Sequence, residues 1–233
     1  MALILLPVPI GEADPTWMPP VVISYYRTLE FFIVEQVRTA RRMLKAFDPE
    51  IDINRITFME LDKHHQQDPV QLLAPASAGH SIGLMSESGL PGVADPGGFI
   101  VAAAHRMGIQ VVPLPGPSSL MLALMASGMN GQDFRFHGYL PAKKPALFQA
   151  IQNLDREMNR YTTAHLFIEV PYRNESLFQA FLEVLSPDTG LCLAVNLGLT
   201  GGWVRSQTIR TWKKELPPDL HKQLCVFAVG KLL

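Results

Sequence analysis

The fold is decided by the stretch from Ile82 to Ser119, which begins Ile82-Gly83-Leu84-Met85-Ser86-Glu87-Ser88-Gly89-Leu90-Pro91-Gly92-Val93-Ala94-Asp95-Pro96-Gly97-Gly98 and ends Val111-Val112-Pro113-Leu114-Pro115-Gly116-Pro117-Ser118-Ser119. Two apolar runs each lead into a loop rich in glycine and proline, and each loop leads into a helical pattern. Glycine lets a backbone approach a ligand closely, and proline fixes the shape of a loop. Open α/β sheets bind ligands in such loops, at the carboxyl ends of their strands. The stretch therefore predicts a ligand site, with two tight connecting turns as the alternative.

The rest of the chain alternates between strand and helix patterns, which predicts an α/β fold throughout. Short apolar runs predict strands at 3–6, 31–34, 56–61, 134–140, 165–170, 191–197, 204–209 and 224–229, the last of them closing its sheet. Apolar stripes at helical spacing predict helices at 36–47, 99–107 and 119–127, a short one from Asp68-Pro69, one that ends near Asn159 and one from Pro171. We expect the 119–127 helix, apolar nearly all round, to be buried between layers, and prolines 15, 19 and 20 to mark an irregular segment.

The composition narrows the class of protein. Of 233 residues, 48% are apolar and 18% charged, so the chain can bury a sizeable core. A net charge of −1 argues against a basic coat over the whole surface but leaves room for a local basic patch. The two cysteines lie in apolar runs, which predicts buried thiols and a cytoplasmic protein. The apolar segment at residues 1–6 is short and is not flanked by positive charge, so we interpret it as a strand and not as a signal peptide. No apolar run in the sequence is long enough to predict a membrane span.

Several common catalytic patterns are missing from the sequence. There is no Gly-x-Gly-x-x-Gly, no Walker loop and no metal-like spacing of Cys and His, which argues against a generic nucleotide-binding enzyme and predicts no metal site. His64 and His65 are adjacent, so they would not converge on one ion.

The two central motifs, from Ser86 to Gly97 and from Val111 to Ser119, resemble those of the tetrapyrrole methylase superfamily. Within it they are most similar to the RsmI-like branch, which methylates small-subunit ribosomal RNA on a ribose 2′-hydroxyl. Weaker likenesses are Leu5-Leu6-Pro7-Val8-Pro9-Ile10-Gly11 and Gly138-Tyr139-Leu140-Pro141-Ala142-Lys143-Lys144. The resemblance implies two α/β domains of tetrapyrrole methylase type, 1–115 and 116–233, with S-adenosylmethionine in the cleft between them.

The resemblance also assigns site residues. It places the cofactor against Pro9, Leu90, Val93, Ser118, Ser119, Ile168 and Ala194, and it implies catalytic roles for Glu35, Arg38 and Glu169. The alternatives are that the two serines only cap a helix, and that the Glu and Arg residues form surface pairs without a catalytic role.

The chain departs from the branch's pattern in two places. The family's Glu-Asp-Thr-Arg is Glu35-Gln36-Val37-Arg38 here, so the outer pair is kept and the inner acid and hydroxyl are lost. After Ala194, the family's Arg-Glu-Leu-Thr-Lys is replaced by a segment that begins Asn196-Leu197-Gly198. The loss of charged residues after Ala194 weakens the assignment to ribosomal RNA but not cofactor binding, and the two differences together would support a cofactor-binding protein that has lost catalysis.

Three hypotheses about function follow. The first is an S-adenosylmethionine-dependent methyltransferase acting on ribosomal RNA, for which a basic helix face (Arg38, Arg41, Arg42 and Lys45) would meet phosphates, unless it is simply a solvated flank. The second is a methyltransferase acting on a tetrapyrrole or another small molecule, and the third is a non-catalytic S-adenosylmethionine-binding protein. We also expect a homodimer, because the apolar fraction is high and proteins of this fold associate.

Overall fold

Two five-stranded sheets organise the chain, each in its own compact unit. Unit 1 is Met1–Ser118 and unit 2 is Ser119–Leu233. The computed structural model describes residues 1–11, 14–62 and 67–233. No helix in these ranges is long and apolar enough to cross a membrane.

Unit 1 alternates strands and helices along the sequence. Its strands are β1 (Ala2–Leu6), β2 (Phe31–Val34), β3 (Thr57–Glu60), β4 (Ile82–Met85) and β5 (Gln110–Pro113). Its helices are α1 (Pro20–Thr28), α2 (Val37–Phe47), α3 (Pro69–Leu72), α4 (Ala74–Ser77) and α5 (Gly98–Arg106), with short 3-10 turns at Pro15–Trp17 and Ile53–Arg55.

The unit 1 sheet is wholly parallel, in the order β3-β2-β4-β1-β5. Its central strands are continuous apolar runs because both faces are covered, as parallel sheets require. Residues of α1 and α2 pack on one face around Phe32, and residues of α3 and α5 pack on the other around Ile33. All five carboxyl ends therefore lie at one edge of the sheet.

The structure corrects two expectations in unit 1. The proline-rich segment at 15–20 continues into a regular helix, α1, because Pro20 occupies a first-turn position that needs no N–H donor. Helix α5 begins at Gly98, one residue before the start predicted from the sequence, and it extends no further back because Gly97 has φ +128° and cannot be helical.

Unit 2 begins with a helix. Its strands are β6 (Phe134–Phe136), β7 (Ala164–Ile168), β8 (Gly190–Val195), β9 (Trp203–Thr208) and β10 (Cys225–Gly230). Its helices are α6 (Ser119–Ser127), α7 (Lys144–Met158), α8 (Asn174–Val184) and α9 (Ile209–Trp212), with a 3-10 turn at Pro171–Arg173.

The unit 2 sheet is mixed, in the order β6-β7-β10-β8-β9. Only β6 and β7 are parallel, and the remaining pairs are antiparallel. The predicted last strand of the sequence is present as β10, and it lies at the centre of the sheet, between β7 and β8. Helices α7, α8 and α9 cover one face with a large apolar cluster, and α6 covers the other face.

The apolar sequence of helix α6 predicts burial on every side, but the helix is buried on one side only. Leu120, Ala123 and Leu124 pack on the sheet, whereas the Met125 side chain on the opposite side is 79% exposed. The predicted strand at 134–140 is also shorter than expected: regular pairing as β6 ends at Phe136, and Gly138 follows with φ +69°.

Candidate active site

Three loops meet at the carboxyl edge of the unit 1 sheet. The loop after β1 is joined to the loop after β4 by paired backbone hydrogen bonds between Val8 and Gly89, at 2.7 and 2.9 Å. The Ser88 hydroxyl also lies 3.5 Å from the carbonyl oxygen of Pro9. The structure thus brings Pro9 next to the loop that carries Leu90 and Val93.

The loop after β5 packs on the same group at Gly116. A Cβ added to Gly116 would lie 2.1 Å from Cβ of Pro7 and 3.6 Å from the Leu90 side chain. Gly89 has φ +73°, a backbone conformation that L side chains rarely adopt. Backbone therefore forms much of this edge, and a ligand could approach it closely, which fits the backbone-rich cradle expected for a nucleoside cofactor.

Three carboxylates lie beside these loops. Glu35 ends the β2 strand region and accepts a hydrogen bond from the backbone N–H of Glu87 at 3.1 Å. Burial, and then the charges of Asp95 and Glu87, raise the pKa of Glu35. Burial and the charge of Glu87 raise the pKa of Asp95 to about 6, against the lowering effect of the Ser86 hydroxyl. A carboxylate with a pKa near neutrality can accept a proton under physiological conditions.

Arg38 is the second residue of α2, is exposed, and forms no ion pair with Glu35 in the described part of the chain. The N-terminus of α2 is capped from a neighbouring strand, because Glu60 Oε2 accepts from the backbone N–H of Val37 at 2.9 Å. The outer Glu and Arg of the family pattern therefore lie near the same sheet edge without forming an ion pair with each other.

Glu169 follows β7 in unit 2 and is buried. Its Oε1 accepts from the backbone N–H of Val170 at 2.7 Å, and its Oε2 lies 3.0 Å from Nη2 of Arg173. Oε2 nevertheless makes no hydrogen bond within the described ranges, so the ion pair leaves this atom able to accept from a further donor.

The other predicted cofactor contacts in unit 2 share one face of its sheet. Ile168 and Ala194 lie on either side of Val226 in β10, in register with it. They belong to the cluster on which α6 packs, and α6 begins at Ser119. Ser118 is the last residue of unit 1 and is buried.

Neutral amides occupy the segment where the branch's charged residues are missing. Asn196 adopts φ +50°, and its side-chain amide donates to the Gln223 side chain. Its Oδ1 accepts from the Leu224 backbone at 3.0 Å, and Asn174 donates to the Gln223 carbonyl at 2.7 Å. Hydrogen bonds between neutral groups thus hold the loop that follows β8.

Sequence reasoning missed Asp95 and Glu87 as site residues. Their acid–base character comes from the convergence of loops that are distant in sequence, and the Asp-Pro dipeptide reads locally as a helix start. His64 and His65 lie outside the described residues. In the described ranges, no group of three or more His, Cys, Asp or Glu side chains could hold a metal ion.

Comparison with known proteins identifies the family. Residues 5–213 match the family model of the tetrapyrrole (corrin/porphyrin) methylases. The chain belongs to this family. Among curated tetrapyrrole methylase relatives, it is 33% identical over 199 residues to ribosomal RNA small subunit methyltransferase I of Vibrio cholerae. It is 30% identical over 217 residues to the protein of the same name from Escherichia coli O157:H7, covering 91% of this chain and 72% of that protein.

The match to the Vibrio cholerae relative covers 85% of this chain but only 65% of the relative, and a second match, from Synechocystis, covers 58% of its relative. The chain therefore spans less than two thirds of the length of these proteins.

Solved structures of tetrapyrrole methylases share the fold. The uroporphyrin-III-C-methyltransferase of Thermus thermophilus matches with a TM-score of 0.59 at 19% identity, covering 99% of this chain and 92% of that one. The methyltransferase CobJ matches with a TM-score of 0.62 at 15% identity, covering 99% and 94%.

Proposed function

We propose that this protein is an S-adenosylmethionine-dependent methyltransferase that methylates small-subunit ribosomal RNA on a ribose hydroxyl. The observation that carries the proposal is the meeting of three Gly/Pro loops with Glu35, Glu87 and Asp95 at one sheet edge, in a tetrapyrrole methylase. The printed names of the curated relatives support RNA as the substrate.

The cofactor would be held mainly by backbone. In unit 1 the proposal assigns its contacts to Pro9, Leu90, Val93 and Ser118, around the close packing of Gly116 on Pro7. In unit 2 it assigns them to Ser119, Ile168 and Ala194. S-adenosylmethionine, when bound, supplies a methyl group already activated by its sulfonium, so the protein's main task is to position the acceptor.

Asp95 would accept the proton that the acceptor hydroxyl loses. Its pKa of about 6 leaves it ionised at neutral pH yet basic enough to take part in general base catalysis. Glu35, held by the Glu87 backbone, would position the acceptor, and Arg38 would contact RNA beside it. Glu169 would accept from a ligand donor through its buried Oε2, while Arg173 fixes its orientation.

The exposed basic face of α2 supports a polyanionic substrate. Arg38, Arg41 and Arg42 form no ion pair in the described part of the chain, and the Arg41 guanidinium lies 5.5 Å from the centre of the Phe58 ring. Lys45 is different, because its ammonium donates to the carbonyl oxygens of Pro49 and Ile51 at 2.8 and 2.7 Å. Lys45 therefore stabilises the end of α2, and the three arginines are left for phosphates.

A methyltransferase acting on a tetrapyrrole or other small molecule is the second candidate. The observation that favours it is the neutral Asn196–Gln223 network, which stands where the RNA-methylating branch carries Arg, Glu and Lys. A protein that binds the cofactor without transferring its methyl group is the third, and it would show binding without turnover.

We further propose a cytoplasmic homodimer. Cys192 and Cys225 are free and buried, and burial raises the pKa of Cys192 to about 11, so neither thiol needs an oxidising compartment. The exposed Met125 side chain of α6 supports association, because covering a large apolar side chain with a partner removes it from water and stabilises the complex.

Thermal unfolding in the presence of ligands tests the cofactor proposal. A ligand that binds only the folded state at about 100 times its Kd stabilises by about 2.7 kcal/mol, or about 5–10 °C in Tm for a chain of this size. We expect S-adenosylmethionine and S-adenosylhomocysteine to raise Tm by this amount, and NAD and ATP to leave it unchanged.

Serine variants locate the binding. Ser118→Leu together with Ser119→Leu should abolish the shift, whereas Ser24→Leu, on the exposed part of α1, should keep it. No shift with either sulfur compound at millimolar concentration would exclude the cofactor. A full shift in the double variant would show that the two serines only cap α6.

A further inference from the structure

Two tyrosines stand in neighbouring loops at the carboxyl edge of the unit 2 sheet. Tyr139 follows β6 and is 60% exposed, and Tyr172 follows β7 and is 73% exposed. Because β6 and β7 are parallel, their carboxyl ends share an edge. The backbone N–H of Ile168 donates to the Gly138 carbonyl at 3.1 Å, so Tyr139 and Glu169 each come directly after this last hydrogen-bonded pair.

Packing within the chain does not account for either ring. Within the described residues, neither ring lies on another ring and neither hydroxyl makes a hydrogen bond. Tyr26 in unit 1 shows what a structural tyrosine looks like here: it is buried, its ring lies 4.7 Å from that of Phe47, and its hydroxyl donates to the Pro7 carbonyl at 2.7 Å. The two exposed rings therefore remain available to a ligand.

The backbone that carries these rings is preorganised. The residue before Tyr172 is Pro171, whose ring fixes the backbone angle φ. The Arg173 N–H donates to the Val170 carbonyl at 2.9 Å and closes the 3-10 turn. Pro141 lies two residues after Tyr139. A stiff loop loses little entropy when its side chain binds, so a ring on such a loop is well suited to a contact surface.

The residues around the two tyrosines suit a nucleotide ligand. Lys143, four residues after Tyr139, is exposed and makes no ion pair within the described ranges. Arg173 follows Tyr172 directly but is already paired with Glu169, so Lys143 is the cation left for a phosphate. Exposed aromatic rings beside cationic side chains are the combination that binds single-stranded nucleic acid, the rings stacking on bases and the cations meeting phosphates. Glu169, one of the proposed site carboxylates, lies between these two features in sequence and at the same edge.

We propose that Tyr139 and Tyr172 form a stacking platform for an unpaired base of the RNA substrate, next to Glu169. The inference rests on the proposed function and adds a requirement to it. Both faces of a base in a duplex are already covered by its neighbours, so the platform selects nucleotides that are single-stranded or turned out of the helix.

Binding of a short single-stranded RNA that contains the fluorescent base 2-aminopurine tests the platform. Stacking on a ring quenches the fluorescence of this base, so the signal reports the ring contact itself and not only affinity. Tyr139→Leu and Tyr172→Leu remove the rings and keep apolar bulk, and each should weaken binding by about 5- to 100-fold and reduce the quenching. Tyr139→Phe and Tyr172→Phe keep the rings and should bind within about 3-fold of the wild type.

Tyr161 is the matched control. It is 62% exposed in the same unit but lies between α7 and β7, at the opposite end of β7 from Glu169. Tyr161→Leu should bind like the wild type, and a fully paired RNA of the same sequence should show no difference between the wild type and the Leu variants.

The outcomes separate this inference from the proposed function. If the wild type binds RNA and both Leu variants bind and quench equally well, the platform is wrong and the RNA substrate stands. If Tyr161→Leu weakens binding as strongly as the other two, the contact is general to exposed rings and the platform is also wrong. If the wild type binds no RNA, both the platform and the RNA substrate are overturned.

Discussion

The carboxyl group of Asp95 is half-buried near the charge of Glu87, and these influences raise its pKa to about 6. If Asp95 is the proton acceptor, kcat/KM should rise with pH through about 6. Asp95→Asn should lower it by about 10²- to 10⁴-fold and remove this dependence, since the amide cannot take up the proton. Steady-state kinetics from pH 5 to pH 9 would measure both effects. An unchanged rise near pH 6 in the variant would assign it to another group.

The same residue predicts a change in stability. The folded-state pKa of Asp95 lies above its usual value of 3.8, so its ionised form opposes folding. This penalty is full above about pH 6 and disappears as the pH falls toward 4. Asp95→Asn should therefore raise Tm by a few degrees at pH 8 and by less at pH 5. A lower Tm for the variant at pH 8 would mean that its carboxylate is stabilised by contacts that outweigh burial.

Some features of the site residues could be predicted from the sequence and others could not. The positions of Glu35 and Glu169 at strand ends were predictable, because an acidic residue directly after a buried apolar run is a local signal. The shared environment of Glu35, Glu87 and Asp95 was not, since it depends on a hydrogen bond between residues 52 positions apart and on burial by three loops.

At the scale of elements, α2 presents the basic face. If this face meets RNA, Arg41→Ala with Arg42→Ala should weaken binding to all RNA sequences alike. It should also make the slope of log K against log salt shallower by about 1.4, at about 0.7 for each lost contact to a single strand. Binding titrations at several salt concentrations would measure the slope.

A control for this prediction is Arg55→Ala, which removes an exposed arginine of unit 1 already paired with Asp52 at 3.4 Å. It should leave the slope unchanged, and cofactor affinity should be the same in all variants. An unchanged slope in the double variant would identify the α2 face as a solvated flank and would favour a small-molecule substrate.

The elements themselves were predicted unevenly. Helix α2 and the strands of unit 1 follow apolar patterns that fit only one type of secondary structure. The two Gly/Pro loops were recognisable from their composition. Helix α1 was missed because its prolines read as breakers, although Pro20 sits where a helix tolerates it. For α6, an even distribution of apolar residues indicated full burial, but the sheet covers only one side of the helix.

At the scale of the whole molecule, the α/β class and the alternation of elements could be predicted, but the order of strands in unit 2 could not. Strand β10 pairs with β7 and with β8, whose paired residues lie at least 58 and at least 30 positions away in sequence, and no local pattern specifies such partners. The family resemblance implied two α/β domains, which periodicity alone did not divide, but it did not give this strand order.

Association is the second property of the whole molecule that we predict. Sedimentation velocity at tens of micromolar should give a single species of twice the 25.9 kDa chain mass. Met125→Lys on α6 should shift it toward monomer, because a charge in an apolar contact is costly to desolvate. A monomer in the wild type at this concentration would contradict the homodimer.

A methyl-transfer assay tests whether this protein methylates small-subunit ribosomal RNA. The protein would be incubated with S-adenosylmethionine labelled in its methyl group and with small ribosomal subunits or their RNA, and the RNA would be digested to nucleosides. We expect label in a 2′-O-methyl nucleoside with the wild type, and a large loss of label with Asp95→Asn. Cofactor binding without any label in the RNA would contradict this expectation.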